Sequence, residues 1–161
     1  DTWRKRMELH GQLALVRMLG LRRAAGLVAQ RLFPHPHQHG MRARVVEVLG
    51  AYPKPVYLAQ VHALAGWCAG ARAPQLSVPH LMLAAEHDYT PLAEKQAWAE
   101  RMRSELRIVR HSRHGTPFDA ISATNAAALA YFAGEAVPED LQADPPETVP
   151  TAAPAVLSTL K

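Results

Sequence analysis

The amino-acid sequence predicts a mixed α/β fold in which a helical segment is followed by two parallel strands and two helices. Residues 1–70 show helical periodicity alone, whereas short apolar runs alternate with helical patterns over residues 71–134. Strands that alternate with helices are typical of a parallel sheet, because parallel neighbours need a crossover connection. Hydrophobic residues make up 48% of the 161 residues, so the chain has enough apolar surface for a packed core.

The first segment, residues 1–70, is predicted to form several helices. Leu9, Leu13 and Val16 recur at spacings of four and three residues, as one face of a helix requires. A later helix is expected to begin near Pro55, because the first turn of a helix leaves its N–H groups unpaired and tolerates proline. Breaks are expected at two glycines and one proline-rich stretch, namely Gly20, Gly26 and residues 34–40.

The second segment, residues 71–134, contains the two predicted strands. Residues 78–85 form a short apolar run without helical polarity, which is typical of a strand buried on both faces. A helix is predicted to follow Thr90, where threonine can cap it and proline comes next. The second strand covers Leu106–Val109, and a last helix covers residues from about 119 to 132.

The third segment, residues 135–161, differs in composition from the rest of the chain. It holds five of the 13 prolines, and five acidic residues against one basic residue. Segments with few large apolar residues bury too little surface to offset the entropy lost on ordering. We therefore expect a mostly disordered tail.

Composition also limits the partners and the compartment. The net charge is +4, but the arginines are scattered without an aromatic platform or a known motif, so we expect no nucleic-acid binding. The sequence has no uninterrupted run of 18 apolar residues, so we expect no membrane span. Cys68 is the only cysteine, which excludes an internal disulfide and a cysteine-based zinc or iron–sulfur site. We expect Cys68 to be a small buried side chain in a cytoplasmic protein.

Two candidate catalytic residues, Asp88 and His114, follow the predicted strands. Functional residues of open parallel sheets gather beyond the carboxyl ends of the strands, so these two side chains are expected to meet. A carboxylate bonded to one imidazole nitrogen fixes the tautomer, and it stabilises the cation formed when the other nitrogen takes a proton. The pattern is equally consistent with Asp88 capping the helix after Thr90 and with His114 being a turn residue.

Two ordered motifs surround these residues. The segment VPHLMLAAEHDYTPLAEKQAWAERM places Asp88 after a leucine-rich strand, in the pattern Gly-Glu-x-Asp with Ala85 at the glycine position. The segment LRIVRHSRHGTPFDAISATNAAALAYFAG places His114 in a Gly/Arg-His-x-x-Pro loop. In this order the two motifs resemble the acid loop, last strand, histidine loop and last helix of the α/β-hydrolases.

The resemblance covers about residues 76–134, and residues 2–70 are similar, more loosely, to the helical cap of lipase-, peptidase- and lactonase-like members. It implies that Asp88 and His114 are the acid and the histidine of a catalytic triad. It also implies hydrolysis of an ester, amide, lactone or related bond in a small molecule that carries an acyl group. The family needs no metal and no organic cofactor for this reaction.

The nucleophile of the family is missing from the sequence. α/β-Hydrolases carry it on a Gly-x-Ser-x-Gly elbow upstream of the cap, and none of the five serines here has glycines in that pattern. The resemblance therefore predicts a C-terminal fragment whose partner is the missing N-terminal half of the fold. The main alternative is a non-catalytic, hydrolase-like interaction domain, and a basic RNA-associated module is a third.

The remaining histidines are weaker candidates. His35, His37 and His39 alternate with other residues in a proline-rich stretch. Their imidazoles could bind a metal ion, but we predict a polar loop, because no carboxylate or cysteine accompanies them. His87 and His111 flank the acid and the base, and only the resemblance selects His114 over them. We therefore predict neither a metal site nor a cofactor site.

Overall fold

The computed structural model of the chain describes residues 2–146, which form a mixed α/β structure with a small parallel sheet. These residues divide into two compact units at the junction of Cys68 and Ala69. The first unit is helical and the second contains the sheet. The division falls close to the predicted boundary at residue 70.

Beside a short 3-10 turn at Pro36–Gln38, the described residues of the first unit form four α-helices. They are α1 (Thr2–Leu19), α2 (Leu21–Leu32), α3 (His39–Ala51) and α4 (Lys54–Gly66). Gly20 separates α1 from α2 with a φ of +79°, a backbone conformation that glycine adopts without strain. The break predicted at Gly26 is wrong, because this glycine lies inside α2. A single glycine costs a helix only about 1 kcal/mol, so the flanking residues carry the helix through it.

One hydrophobic cluster of the first unit lies where α1 meets α4, and a second lies between α1 and α2. Leu9 and Leu13 are buried together with Val61, so the helix face predicted from their spacing is the packed one. Tyr57 packs beside these residues, and its hydroxyl accepts a hydrogen bond from Gln12 Nε2 at 2.5 Å. This tyrosine is therefore a packing residue with a satisfied polar end.

The second unit is a three-stranded parallel sheet with helices. Its elements are β1 (Leu81–Ala85), α5 (Leu92–Met102), β2 (Glu105–Arg110), α6 (Thr116–Asp119), α7 (Ile121–Ala133) and β3 (Leu141–Gln142). The strand order is β1-β2-β3, and β1 pairs with β2 from Leu81 opposite Glu105 to Ala85 opposite Val109. α5 connects the two strands and packs on both. The predicted strand–helix–strand unit with parallel strands is confirmed.

The first strand is shorter and less buried than predicted. It begins at Leu81, and only Ala84 and Ala85 are fully buried, while the preceding three residues are half-buried. Among residues 2–146, β1 pairs with β2 alone, so its other edge has no strand beside it. A strand is buried on both faces only where helices cover both faces of the sheet, and an edge strand is in addition open along one side.

The prediction of disorder from residue 135 onward is wrong for residues 135–146. Leu141 lies opposite Val109 in a third parallel strand, and Leu141 and Val137 are 3% and 4% exposed. These two side chains pack with Val109 and the alanines of α7, which anchors the segment although it is rich in proline and acid. Residues 147–161 of the predicted tail lie outside the described residues.

Two other expectations concern the surface. Cys68 is exposed, so its predicted burial is wrong; it lies just after α4 ends at Gly66, beside an exposed Trp67. None of the helices within residues 2–146 has both the length and the apolarity needed to cross a bilayer.

Candidate active site

Hydrogen bonds join the two loops that follow β1 and β2. Glu86 N donates to Val109 O at 3.1 Å, and His87 N donates to Ser112 O at 2.9 Å. His111 adopts a φ of +60°, and its N–H donates to Glu86 Oε2 at 2.8 Å. The parallel register therefore continues past the strand ends and brings the loops side by side.

The structure brings Asp88 and His114 together at this edge of the sheet. His114 Nδ1 lies 3.0 Å from Asp88 Oδ1, and because a carboxylate accepts, Nδ1–H is the donor. The Asp88 side chain is 11% exposed, whereas the His114 side chain is 47% exposed. The carboxylate is thus held away from solvent while the imidazole remains accessible, which suits an orienting acid and a base. Their catalytic roles remain a prediction.

Lys95 holds the second oxygen of the Asp88 carboxylate. Its ammonium lies 2.6 Å from Asp88 Oδ2 and 3.2 Å from Ala85 O, and its side chain is 14% exposed. Burial raises the pKa of Asp88, but hydrogen bonding and charge from Lys95, then from His114, outweigh it and leave the pKa below its usual value. Asp88 is therefore a carboxylate at neutral pH.

The alternative role for Asp88, capping the helix after Thr90, has limited support. Thr90 N approaches Asp88 Oδ1 at 3.5 Å, which is long for a hydrogen bond. α5 starts at Leu92 after Pro91 and has no side-chain cap. The shorter contacts of Asp88 to Lys95 and His114 are the ones that fix its position.

Tyr89 contacts the other ring nitrogen of His114, Nε2. Its hydroxyl lies 2.5 Å from His114 Nε2, and the two ring centroids lie 4.1 Å apart. With Nδ1 protonated towards Asp88, the neutral imidazole has a bare Nε2, so the tyrosine hydroxyl is the donor. The three side chains form a hydroxyl–imidazole–carboxylate row, and a substrate or nucleophile at Nε2 must displace the phenol.

A buried carboxylate, Asp119, shapes the loop that carries His114. Asp119 is 3% exposed and accepts hydrogen bonds from Ser112 Oγ at 2.7 Å and from Arg113 N at 2.9 Å. Thr116 Oγ1 donates to Arg113 O at 2.9 Å and closes the turn. These contacts flank His114 on both sides in sequence and fix where its imidazole lies.

The other predicted residues are placed elsewhere. His87 and His111 lie around Glu86, with their nearest ring nitrogens 3.6 Å and 4.0 Å from its carboxylate, so they do not take the place of His114 beside Asp88. In the first unit, the rings of His35 and His37 stack with centroids 5.5 Å apart.

Sequence reasoning missed three residues of this site: Tyr89, Lys95 and Asp119. Lys95 lies early in a predicted helix, where the helix dipole disfavours a positive charge. A lysine at this place therefore indicates a carboxylate nearby, and this signal could have found it. Asp119 follows Pro117 and Phe118 in a short helical turn, and that pattern does not predict a buried carboxylate. Tyr89 adjoins the acid in the chain, but only the three-dimensional loop reveals its contact with His114.

Replacing Tyr89 by phenylalanine is expected to free Nε2 of His114. Diethyl pyrocarbonate acylates an imidazole at an unprotonated, accessible nitrogen, so the variant should be modified several-fold faster at His114. The rate is measured by mass spectrometry with fragment ions that separate His114 from His111. Tyr131→Phe is the matched control and should leave the rate unchanged, whereas an unchanged rate in Tyr89→Phe would show that the phenol does not cover Nε2 in solution.

Comparisons of the chain with protein-family models, with curated proteins and with solved structures gave no match. Interpretation of the site therefore depends on its geometry and on the order of its residues in the chain.

Proposed function

We propose that the chain is the C-terminal part of a serine-type α/β-hydrolase and supplies the acid and the histidine of its triad. The observation that carries the proposal is the 3.0 Å contact between His114 Nδ1 and Asp88 Oδ1, with the acid largely shielded from solvent and the imidazole accessible. Asp88 follows β1 and His114 follows the neighbouring parallel strand β2, and this order also supports the proposal. In this proposal the helical unit, residues 1–68, is the cap, and the protein is cytoplasmic.

The proposed reaction uses the imidazole as a proton carrier. The serine hydroxyl of the missing part attacks the acyl carbon, and its proton passes to His114 Nε2. Asp88 holds Nδ1–H and stabilises the imidazolium, and Lys95 keeps the carboxylate in place. His114 then gives the proton to the leaving group, and the acyl-enzyme is hydrolysed by water through the same steps. The reaction needs no metal and no organic cofactor.

The edge of β1 supports the proposal that further strands belong beside it. Among the described residues, β1 has a strand neighbour on one side only, and Leu81, Met82 and Leu83 are half-buried. An apolar strand with an open edge is a site where another strand pairs. The strand that leads to a nucleophile elbow would lie in such a continuation of the sheet.

A second candidate is the non-catalytic, hydrolase-like interaction domain. One observation favours it: the Tyr89 hydroxyl already occupies Nε2, the atom that a nucleophile must reach. In this alternative, Tyr89, His114 and Asp88 form a structural hydrogen-bonded row that ties together the two loops.

The coding sequence upstream of residue 1 tests the proposal. An in-frame Gly-x-Ser-x-Gly, placed before the helical unit, is the expected result and would supply the nucleophile. An open frame without any such elbow would overturn the hydrolase and favour the interaction domain. The kinetics of the longer protein then test the roles of Asp88 and His114 directly.

The 161-residue chain by itself is expected to show no turnover of p-nitrophenyl esters. Without a serine elbow there is no residue to form an acyl-enzyme, although the acid and base are in contact. Release of p-nitrophenol is compared with a heat-treated sample and with His114→Ala. Robust turnover that a serine-directed phosphonate abolishes would locate a nucleophile inside the chain and contradict this expectation.

A further inference from the structure

Three side chains form a second cluster at the same edge of the sheet. Glu86 and His87 follow β1, and His111 follows β2. One ligand atom from each lies within 4.8 Å of the others, and all three residues are exposed. We propose that Glu86, His87 and His111 form a binding site for a divalent transition-metal ion of the Zn²⁺ class.

The distances bring the donors close to a coordination sphere. His87 Nε2 lies 3.6 Å and His111 Nδ1 lies 4.0 Å from Glu86 Oε2. Ligands at about 2.1 Å from a tetrahedral zinc ion lie about 3.4 Å from each other. The ligand atoms therefore need to approach one another by between a few tenths of an ångström and at most about 1.4 Å, which exposed side chains do by small rotations.

The backbone holds the three residues in this arrangement. His111 N donates to Glu86 Oε2 at 2.8 Å, and His87 N donates to Ser112 O in the loop after β2. These bonds cross between the two loops, so the ligands come from two segments that are already tied together.

The donor set selects the class of ion. Two imidazoles and one carboxylate suit Zn²⁺, Co²⁺, Ni²⁺ or Cu²⁺, whereas Mg²⁺ and Ca²⁺ prefer oxygen ligands alone. Three protein ligands leave a fourth position of a tetrahedral ion for water or another ligand. The exposure of all three residues makes that position accessible to solvent.

The site is separate from Asp88 and His114 and does not depend on the proposed hydrolase. Asp88 and His114 contribute none of the three ligands; they contact each other, while Asp88 also contacts Lys95 and His114 also contacts Tyr89. A bound ion would link the loop after β1 to the loop after β2 and stabilise the unit that contains the sheet. The test therefore measures metal binding directly rather than activity.

Isothermal titration of the chain with ZnCl₂ in a non-chelating buffer is the experiment. We expect one Zn²⁺ per chain with a dissociation constant in the micromolar range. Glu86→Gln, His87→Ala and His111→Asn should each weaken binding by about tenfold or more, since even indirect ligand contacts carry effects of that size. Glutamine keeps the acceptor for His111 N, and asparagine tolerates the positive φ at 111.

Two variants serve as matched controls for other histidines. His37→Ala removes an imidazole from the first unit, and His114→Ala removes the one beside Asp88; both should bind Zn²⁺ as tightly as the unchanged chain. Co²⁺ should give visible d–d absorption that is lost in Glu86→Gln, with circular dichroism showing that the variant is folded. Absence of saturable binding, or binding lost in His37→Ala and kept in His111→Asn, would overturn the proposal.

Discussion

Replacing His114 by alanine in the longer protein that carries the nucleophile is expected to lower kcat by a factor on the order of 10³ or more. In the proposed mechanism the imidazole takes and returns the proton, whereas Asp88 is held by Lys95 and by Nδ1 of His114. Turnover of a p-nitrophenyl ester under saturating substrate measures the loss.

The acid is expected to act through the histidine, and a double variant tests this. Asp88→Asn should also lower kcat strongly, because an amide no longer stabilises the imidazolium. The double variant should be no worse than His114→Ala, since nothing is then left for Asp88 to orient. Additive losses would show that Asp88 and His114 do not act as one unit.

Two histidines of the neighbouring cluster provide the controls. His87→Ala and His111→Ala should stay within about tenfold of the unchanged protein, since neither ring contacts Asp88. The assays contain a chelator, so that an ion bound at Glu86 does not contribute. If His111→Ala were inactive and His114→Ala remained active, the assignment of His114 as the base would be wrong.

Local sequence patterns were sufficient to predict where the candidate site lies. Two short apolar runs separated by one helix implied adjacent parallel strands, and parallel strands deliver their carboxyl ends to one edge. That topology places Asp88 and His114 in loops that can touch, and the resemblance selected His114 over the neighbouring histidines. Their catalytic use came from the resemblance to the α/β-hydrolases, and it stays a proposal.

What the patterns missed depends on contacts between distant segments. β3 is two residues long, and it forms because Leu141 pairs opposite Val109, although its own neighbourhood is rich in proline and acid. The half-burial of β1 likewise depends on what packs on the faces of the sheet and on its place at the edge. Hydrophobic periodicity reads only the few residues on either side of a position. It therefore predicts neither the pairing of β3 nor the partial burial of β1.

Replacing Asp119 by alanine is expected to destabilise the unit that contains the sheet by about 3 kcal/mol. The carboxylate is buried, and it alone satisfies the N–H of Arg113, while Ser112 Oγ, which is fully buried, donates to its other oxygen. Alanine leaves the N–H of Arg113 without its acceptor, removes the shortest hydrogen bond of Ser112 Oγ, whose other contacts are 3.1 Å to Thr116 Oγ1 and 3.3 Å to Arg113 O, and opens a small cavity as well. Asp119→Asn should also be destabilised, because its amide group presents a donor where the partners require two acceptors.

The measurement needs a probe confined to that unit. Trp98 lies in α5, so a background with Trp3→Phe and Trp67→Phe reports urea unfolding of the second unit by Trp98 fluorescence. Asp140→Ala is the control; Asp140 is 65% exposed in an ion pair with Arg110, and such a pair is worth less than about 1 kcal/mol. A loss in Asp119→Ala no larger than in Asp140→Ala would show that the buried carboxylate does not hold the histidine loop. The expected large loss would make Asp119 the residue that fixes the backbone on both sides of His114, and with it the contact to Asp88.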